Sequence, residues 1–339
     1  MSPSPEAGGR TTSPRWTVHS ALPESDGELR ALFQAVFGHA MPSAQWGWKY
    51  QGVALRGTLL RRQGRAVAFF GGMPRRFVHA GQGLEAVQNG DVMVLPDERG
   101  VFSRQGALYQ AAAHFFGHHV GPGHGYAFAF GFPSERHFKL GAKLGLYAQA
   151  GRMMELRWVP LPAQRHRGWS CTPLQAPRLA DLDVLWRRMQ RDWPHLYLPV
   201  RDAARWHYRY LQHPTQSYVL LVLRQFLTGR PLAAMALREH PTHCEWLDYV
   251  GPQQGIELAV LAVREWVGAK GKPVTALVSD SVAAPSKKMR LRKTLRKSRS
   301  TPRGLNGTSP RRTVSGMVNS RPSQATNPMA AIMPNSAFQ

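Results

Sequence analysis

The sequence predicts an α/β (α+β) protein built from two tandem mixed-sheet units and a basic tail without regular structure. Three observations carry that expectation. Strand-like and helix-like segments alternate between residues 87 and 158, which calls for a mixed sheet with crossover helices. The same order of elements recurs between residues 178 and 280, as an internal duplication would leave it. From residue 285 onward the composition turns to Lys, Arg, Ser, Thr, Pro and Asn without apolar periodicity, and such a segment cannot bury enough surface to offset its ordering entropy.

Each element has a local cause. Trp16 to His19 can open a strand, and Ser25-Asp-Gly-Glu28 reads as a capping box for a helix with Leu29, Leu32, Phe33, Val36 and Phe37 at helical spacing, stopped by Gly38. Trp46-Gly-Trp48-Lys49-Tyr50 is an aromatic cluster on a second short helix. Residues 59–62 and 67–72, split by Gln63-Gly64, predict a hairpin that Met73-Pro74 ends. Residues 87–95 read as a strand, Pro96-Asp97-Glu98-Arg99-Gly100 as a turn, and 102–119 as a helix with Leu108, Ala111, Ala112, Phe115 and Phe116 on one face. A loop, an apolar strand at 126–132, a helix from Glu135 to Leu144 and a strand at 153–158 follow. After a Pro-, Arg- and Gly-rich linker, residues 179–191 are helical and Arg205-Trp206-His207-Tyr208-Arg209-Tyr210 echoes the first aromatic cluster. A hairpin around Thr228-Gly229-Arg230, strands at 244–250 and 274–279, and a helix at 256–266 complete the second unit.

Composition sets the outer limits. A chain of 339 residues suits two medium domains, and 43% hydrophobic residues with 19% charged ones exclude global disorder. No stretch approaches the roughly 18 uninterrupted apolar residues of a transmembrane helix. Residues 1–15 lack the apolar stretch of a secretory signal, and Cys171 and Cys244 build no disulfide framework, so the expected setting is cytoplasmic. The net charge is +24, yet twelve of the 44 basic side chains and none of the 20 acids lie after residue 280. Half the charge therefore belongs to the tail, which leaves no reason to expect a nucleic-acid partner.

The segment Asp91-Val-Met-Val-Leu-Pro96-Asp97-Glu98-Arg99-Gly100 resembles the acyl-coenzyme A site of the GNAT superfamily of N-acetyltransferases, in which a strand runs into Pro-Asp-x-Arg-Gly and then a helix. Phe130-Gly-Phe-Pro133-Ser134, followed by Lys143-Leu-Gly145-Leu146, is similar to the segment that closes such domains. The aromatic cluster at 46–50 recurs in some large prokaryotic members. The resemblance implies two tandem GNAT-like mixed-sheet domains. In that division residues 1–15 are a flexible N-terminus, 16–158 an acyl-CoA-binding domain, 159–177 a linker, 178–284 a degenerate second domain and 285–339 a disordered basic tail. The second unit stops after the strand at 274–279, where the first still has a helix and a last strand, so truncation or a shift of reading frame is expected near 283–285.

The resemblance further implies acetyl-CoA as co-substrate, a small-molecule or peptide amine as acceptor, and no metal. Backbone amides of a Gly-rich turn and the following helix N-terminus suit a pyrophosphate. That assigns cofactor binding to Met93, Val94, Leu95, Arg99, Gly100, Val101, Phe102, Arg104 and Gly106, with the pantetheine arm pairing along the strand. A backbone amide near Met93 or Val94 would stabilise the oxyanion while an amine attacks directly. Glu85 and Asp91 are the candidate bases, and Trp46, Trp48 and Tyr50 the candidate substrate groove.

The sequence also departs from the family pattern. The phosphate loop is two residues short at Arg99-Gly100-Val101-Phe102-Ser103, with Gly106-Ala107 following. Gly141 stands where many members place a tyrosine acid, Tyr147 lies beyond Gly145, and Ser134 replaces an asparagine. These departures support a second reading, a non-catalytic ligand- or partner-binding protein on a decayed acetyltransferase scaffold. His114 and His118 have the i, i+4 spacing that suits zinc, but no carboxylate or cysteine accompanies them.

Overall fold

A computed structural model describes residues 15–100, 103–175, 178–279 and 314–319. The first unit contains β1 (Thr17–Ala21), α1 (Asp26–Phe37), α2 (Ser43–Lys49), β2 (Gly57–Arg62), β3 (Arg65–His79), β4 (Gln82–Val94), α3 (Ala107–His119), β5 (Ala129–Gly131), α4 (Glu135–Lys143) and β6 (Ala148–Trp158). The second has β7 (Trp169–Pro173), α5 (Ala180–Asp192), β8 (Leu198–Pro199), α6 (Ala203–Trp206) with a π-helical turn (His207–Leu211), β9 (Val219–Gln225), β10 (Pro231–Glu239), β11 (Cys244–Val250), α7 (Ile256–Trp266) and β12 (Val274–Ser279). A last strand, β13, is Val314–Asn319.

One sheet crosses both units, in the order β1-β2-β3-β4-β5-β13-β6-β12-β11-β10-β9-β7, while β8 pairs with β3. The strands change partners at its centre. β6 closes the first unit in sequence yet pairs antiparallel with β12 of the second, and β13 lies antiparallel between β5 and β6. The tail was expected to lack regular structure throughout; 314–319 is instead a strand, and its other residues lie outside the described ones. The 159–177 stretch likewise contains a strand, because β7 pairs with β9 and hides that edge of the sheet.

Two expectations need correction at α1 and β3. Ser25 stands at the N-cap of α1 without a side-chain cap bond, so no capping box forms. Glu28 and Asp26 turn outward instead, Glu28 to Arg61 at 2.6 Å and Asp26 to Arg56 through two bonds of 2.9 and 3.0 Å. Pro74 does not end its strand. The Gly72 amide donates to the Arg56 carbonyl on the β2 side of β3, and Pro74 presents its missing donor two residues on. There β2 has ended at Gly57↔Gly71 and β8 begins only at Phe77↔Pro199, so no ladder bond is lost.

Two large cores hold the units, and a smaller aromatic one of Phe77, Ala86, Phe128 and Phe130 lies under β3–β4 where the second unit approaches. Trp48 seals the contact between units. Its indole donates to the Tyr208 carbonyl at 3.0 Å, the Tyr208 hydroxyl donates back to the Trp48 carbonyl, and the rings stack 5.3 Å apart.

Candidate functional site

The site begins at an irregularity in β4. This strand pairs with β3 in register from Gln82↔His79 to Gly90↔Gly71, and the register then slips to Met93↔Phe69. The extra residue is accommodated by Asp91, whose φ is +51°, a left-handed conformation that few residues other than glycine and Asn/Asp adopt. Lys49 at the end of α2 donates to one carboxylate oxygen at 2.6 Å, and the Tyr50 hydroxyl donates to the other at 2.7 Å. The Lys49 and Asp91 side chains are only 3% and 6% exposed. Gly71 permits the close approach: a Cβ there would meet the Gly90 carbonyl and come within 3.1 Å of the Tyr50 hydroxyl.

On its other edge β4 runs parallel to β5 only at Val87↔Ala129 and Gln88↔Phe130. Beyond Gln88 no described strand occupies that edge, so residues 89–93 present backbone at an opening between diverging strands, while the Val94 carbonyl accepts from Arg99. The Asn89 side-chain oxygen is buried there without a hydrogen-bond partner. Of the sequence-predicted residues, Met93 and Leu95 are buried in the core and can offer only backbone, while Val94 is half-buried.

The opening leads towards the N-terminus of α3. Pro96–Glu98 form a 3-10 turn, Gly100 adopts φ +97°, and Gly106 is the N-cap of α3 with no side chain capping the free amides. The predicted helix start at 102 is corrected to Ala107. Ser103 holds a turn ahead of it, its hydroxyl accepting from Gln105 and its carbonyl from Gly106. The connection between turn and helix therefore runs from 99 to 106. Val101 and Phe102 lie outside the described residues. Arg99 is exposed and donates to the Val94 carbonyl at 2.8 Å, and Arg104 is exposed beside it. Glu98, not singled out in the sequence, anchors the turn: it is buried and accepts from Arg15, Arg62 and Trp16 at 2.7, 2.9 and 3.0 Å. Burial opposes its ionisation, but those three donors hold its pKa below the ordinary value.

Farther back along β3 and β4, a cavity of about 310 Å³ opens between the units. From the first unit it is lined by Arg75, Phe77, Glu85, Gln88 and the aromatic rings of Phe130 and Phe132. The second unit contributes Arg201, Arg205, Tyr208 and Arg209 around Asp248. Glu85 thus faces the cavity, its pKa raised by burial against the opposing pull of Arg76. The two candidate bases are separated in environment: Asp91 is engaged by both oxygens under α2, whereas Glu85 borders open space.

The three groove candidates also separate. Trp46 and Tyr50 are core residues whose rings pack 4.6 Å apart, and Trp48 is buried against Tyr208 and His213. They form the support of the site rather than its lining. The second unit repeats the arrangement. Trp206 and Tyr210, again four residues apart, pack at 5.3 Å, and the Tyr210 hydroxyl donates at 2.9 Å to Asp248 on β11. Arg201 supplies the cation at 2.7 Å. There the equivalent opening is closed from within, since the Trp246 indole donates to the Asp248 carbonyl and the Tyr249 hydroxyl to the Pro252 carbonyl, at 2.8 and 2.6 Å.

Gly141 is covered by a ring. A Cβ at that position would collide with Tyr147, which has folded back past Gly145, and burial pushes the Tyr147 pKa up to about 12. The His114 and His118 rings stack 4.1 Å apart, and no group of three potential metal ligands occurs among the described residues. No helix among those residues is long and apolar enough to cross a membrane.

No protein-family model matches the sequence, and no curated protein does. Solved structures do resemble it. A GCN5-related N-acetyltransferase of Anabaena variabilis superposes with TM-score 0.61 at 15% identity over 90% of this chain and 72% of that one. An Enterococcus faecalis protein described as a probable N-acyltransferase gives TM-score 0.61 at 11% identity, over 78% of this chain and 65% of that one. The chain thus spans slightly less than two thirds of the Enterococcus protein. Saccharomyces cerevisiae N-myristoyltransferase with bound myristoyl-CoA gives TM-score 0.52 at 8% identity, over 91% and 83%. The fold is therefore that of the GNAT-type N-acetyltransferases and N-myristoyltransferases.

Proposed function

We propose that this fold serves here as an acyl-CoA-dependent N-acyltransferase that moves an acetyl group from acetyl-CoA to a primary amine. One observation carries the reading: the parting of β4 from β5 at a bulge, continuous with the uncapped N-terminus of α3. The pantetheine arm pairs with the free edge at 89–93 as an added strand would. Its phosphates meet the α3 amides, with Arg99 and Arg104 adding charge. The thioester then lies near the bulge, where a backbone amide close to Met93 or Val94 stabilises the oxyanion. The amine nitrogen attacks the carbonyl carbon, the carbon–sulfur bond breaks, and the proton lost by the nitrogen passes through water to the departing thiolate, which leaves as the CoA thiol. Asp91 holds the bulge in shape through Lys49 and Tyr50.

Isothermal titration of acetyl-CoA tests the coenzyme site. Micromolar binding that Arg99→Ala weakens about tenfold is expected. Glu85→Gln should leave both that affinity and the rate of thiol release within about twofold, because Glu85 lies eight residues from Met93 along β4, about 26 Å at the rise of a strand. Absence of binding at millimolar acetyl-CoA overturns the proposal in favour of a non-catalytic binding protein on this scaffold.

A further inference from the structure

The cavity between the units has an unusual charge. Five arginines line it, Arg75, Arg76, Arg201, Arg205 and Arg209, against two carboxylates, Glu85 and Asp248. Arg201 is paired with Asp248, and Arg76 reaches Asp202 at 3.2 Å. Arg75 donates to the Gln88 side chain at 3.0 Å and to the Pro74 carbonyl at 2.9 Å. Arg205 lies 5.3 Å over the Tyr208 ring and Arg209 5.1 Å over the Tyr210 ring. The Arg209 Nε is buried and has no hydrogen-bond partner.

Cations gathered this way raise one another's energy. Burial first, then the charges of Arg205 and Arg209, hold the Arg75 guanidinium well below its usual pKa; burial and then Arg209 bring Arg205 to about 10. Arg205 remains charged at neutral pH. A cluster of guanidinium groups in a recess, opposite a wall of phenylalanine rings, is complementary to an anionic group on an apolar body.

We infer that the cavity binds the acceptor, and that the acceptor is an amine carrying an anionic group, carboxylate or phosphate, which Arg205 and Arg209 receive while its apolar part rests on Phe77, Phe130 and Phe132. This rests on the acyltransferase reading. The coenzyme takes the β4 edge at 89–93, whereas the cavity borders the same strand at Gln88, so an acceptor held there extends along β4 toward the thioester. The second unit, whose own opening is filled by Trp246 and Tyr249, thereby sets acceptor specificity for the first.

The test uses the full chain and three probes at low salt: phenylacetate, phenyl phosphate and the neutral phenylacetamide. At least one anion should bind, with the amide weaker by about tenfold or more. Whichever anion binds tighter identifies the headgroup. Arg205→Gln and Arg209→Gln should each weaken that anion about tenfold and leave acetyl-CoA affinity within about twofold, while Arg99→Ala should do the reverse. Two variants are used so that one misfolded protein, revealed by its circular dichroism, does not decide the matter. Equal affinity for amide and anions, no anion binding at about 10 mM, or two folded variants with unchanged affinity overturns the inference. If the anions bind as described but acetyl-CoA does not, the acyltransferase reading falls while the anion pocket stands.

Discussion

Replacing Asp91 by Asn separates the two roles a carboxylate at the bulge could have. Asn keeps the shape, still accepts from the Tyr50 hydroxyl and tolerates φ +51°, so the backbone strain is unchanged. What is lost is the charge opposite Lys49, across 2.6 Å, with the two side chains 3% and 6% exposed. Breaking a pair this deeply buried costs about 3–5 kcal/mol, because the ammonium keeps its desolvation penalty without its counter-charge. Against a typical total of about 5–15 kcal/mol, that is a large share. Adding Lys49→Met removes the stranded charge, and most of the loss should return. Urea unfolding followed by circular dichroism measures both steps. A loss below about 1 kcal/mol in Asp91→Asn, or a double variant no more stable than the single one, refutes the argument. Activity gives the second criterion. If Asp91 only holds the bulge, thiol release recovers with stability in the double variant; if it is the base, the rate stays lost when stability returns.

Three further outcomes follow from the same coordinates. Asp248→Asn should destabilise by about the same 3–5 kcal/mol, since the Arg201 and Asp248 side chains are 5% and 8% exposed, and urea unfolding checks it. Gly141→Ala should cost about 1–3 kcal/mol by driving a methyl group into the Tyr147 ring; in Tyr147→Ala the same change should be nearly neutral, and equal costs in the two backgrounds would show that the ring is not the obstacle. Stability should fall as pH drops below the ordinary histidine value of 6.5, because burial holds His114, His119, His213 and His243 below it. The unfolded chain then takes up protons that the folded one does not, so the stability is complete above 6.5 and is lost as pH falls toward the folded values. Urea midpoints that stay flat from pH 7 to 5 would contradict this.

Much of the fold could be read from local chemistry. The run from Asp91 to Gly100 and the helix behind it reflect short-range turn and helix signals, which survive in the sequence. The echo of the 46–50 cluster at 205–210 was also visible. Its sharper content, a Trp and a Tyr four residues apart with an Asp on the central strand, was there at Trp46, Tyr50 and Asp91 and at Trp206, Tyr210 and Asp248. What failed depends on partners distant in the chain. Pro74 reads as a strand end unless β2 is known to stop at Gly57. Trp48 resembles a groove wall until Tyr208 is placed against it, 160 residues away. Arg205 of α6 and Arg209 of the π-helical turn look like solvated charge on a short helix, and only the approach of β3 and β4 turns them into a cavity wall.

The division of labour between the units follows from how they are joined. β6 leaves the first unit to pair with β12, β8 of the second pairs with β3 at Phe77↔Pro199 and Val78↔Leu198, and Trp48 and Tyr208 exchange hydrogen bonds. These contacts press α6 and its π-helical turn onto the face of β3–β4 that carries Arg75, Phe77 and Gln88. The second copy has meanwhile closed its own opening, with the Tyr249 hydroxyl within 3 Å of where a Cβ on Gly251 or Gly255 would lie, just ahead of α7. A phosphate approaching that helix would have to displace the phenol and break its 2.6 Å bond to the Pro252 carbonyl. Both helices start at a glycine N-cap without a side-chain cap bond, Gly106 for α3 and Gly255 for α7, so the difference between the copies is the phenol. On the proposed reading the first unit provides the coenzyme opening and the second a wall for the acceptor, and neither unit alone contains both faces of the cavity.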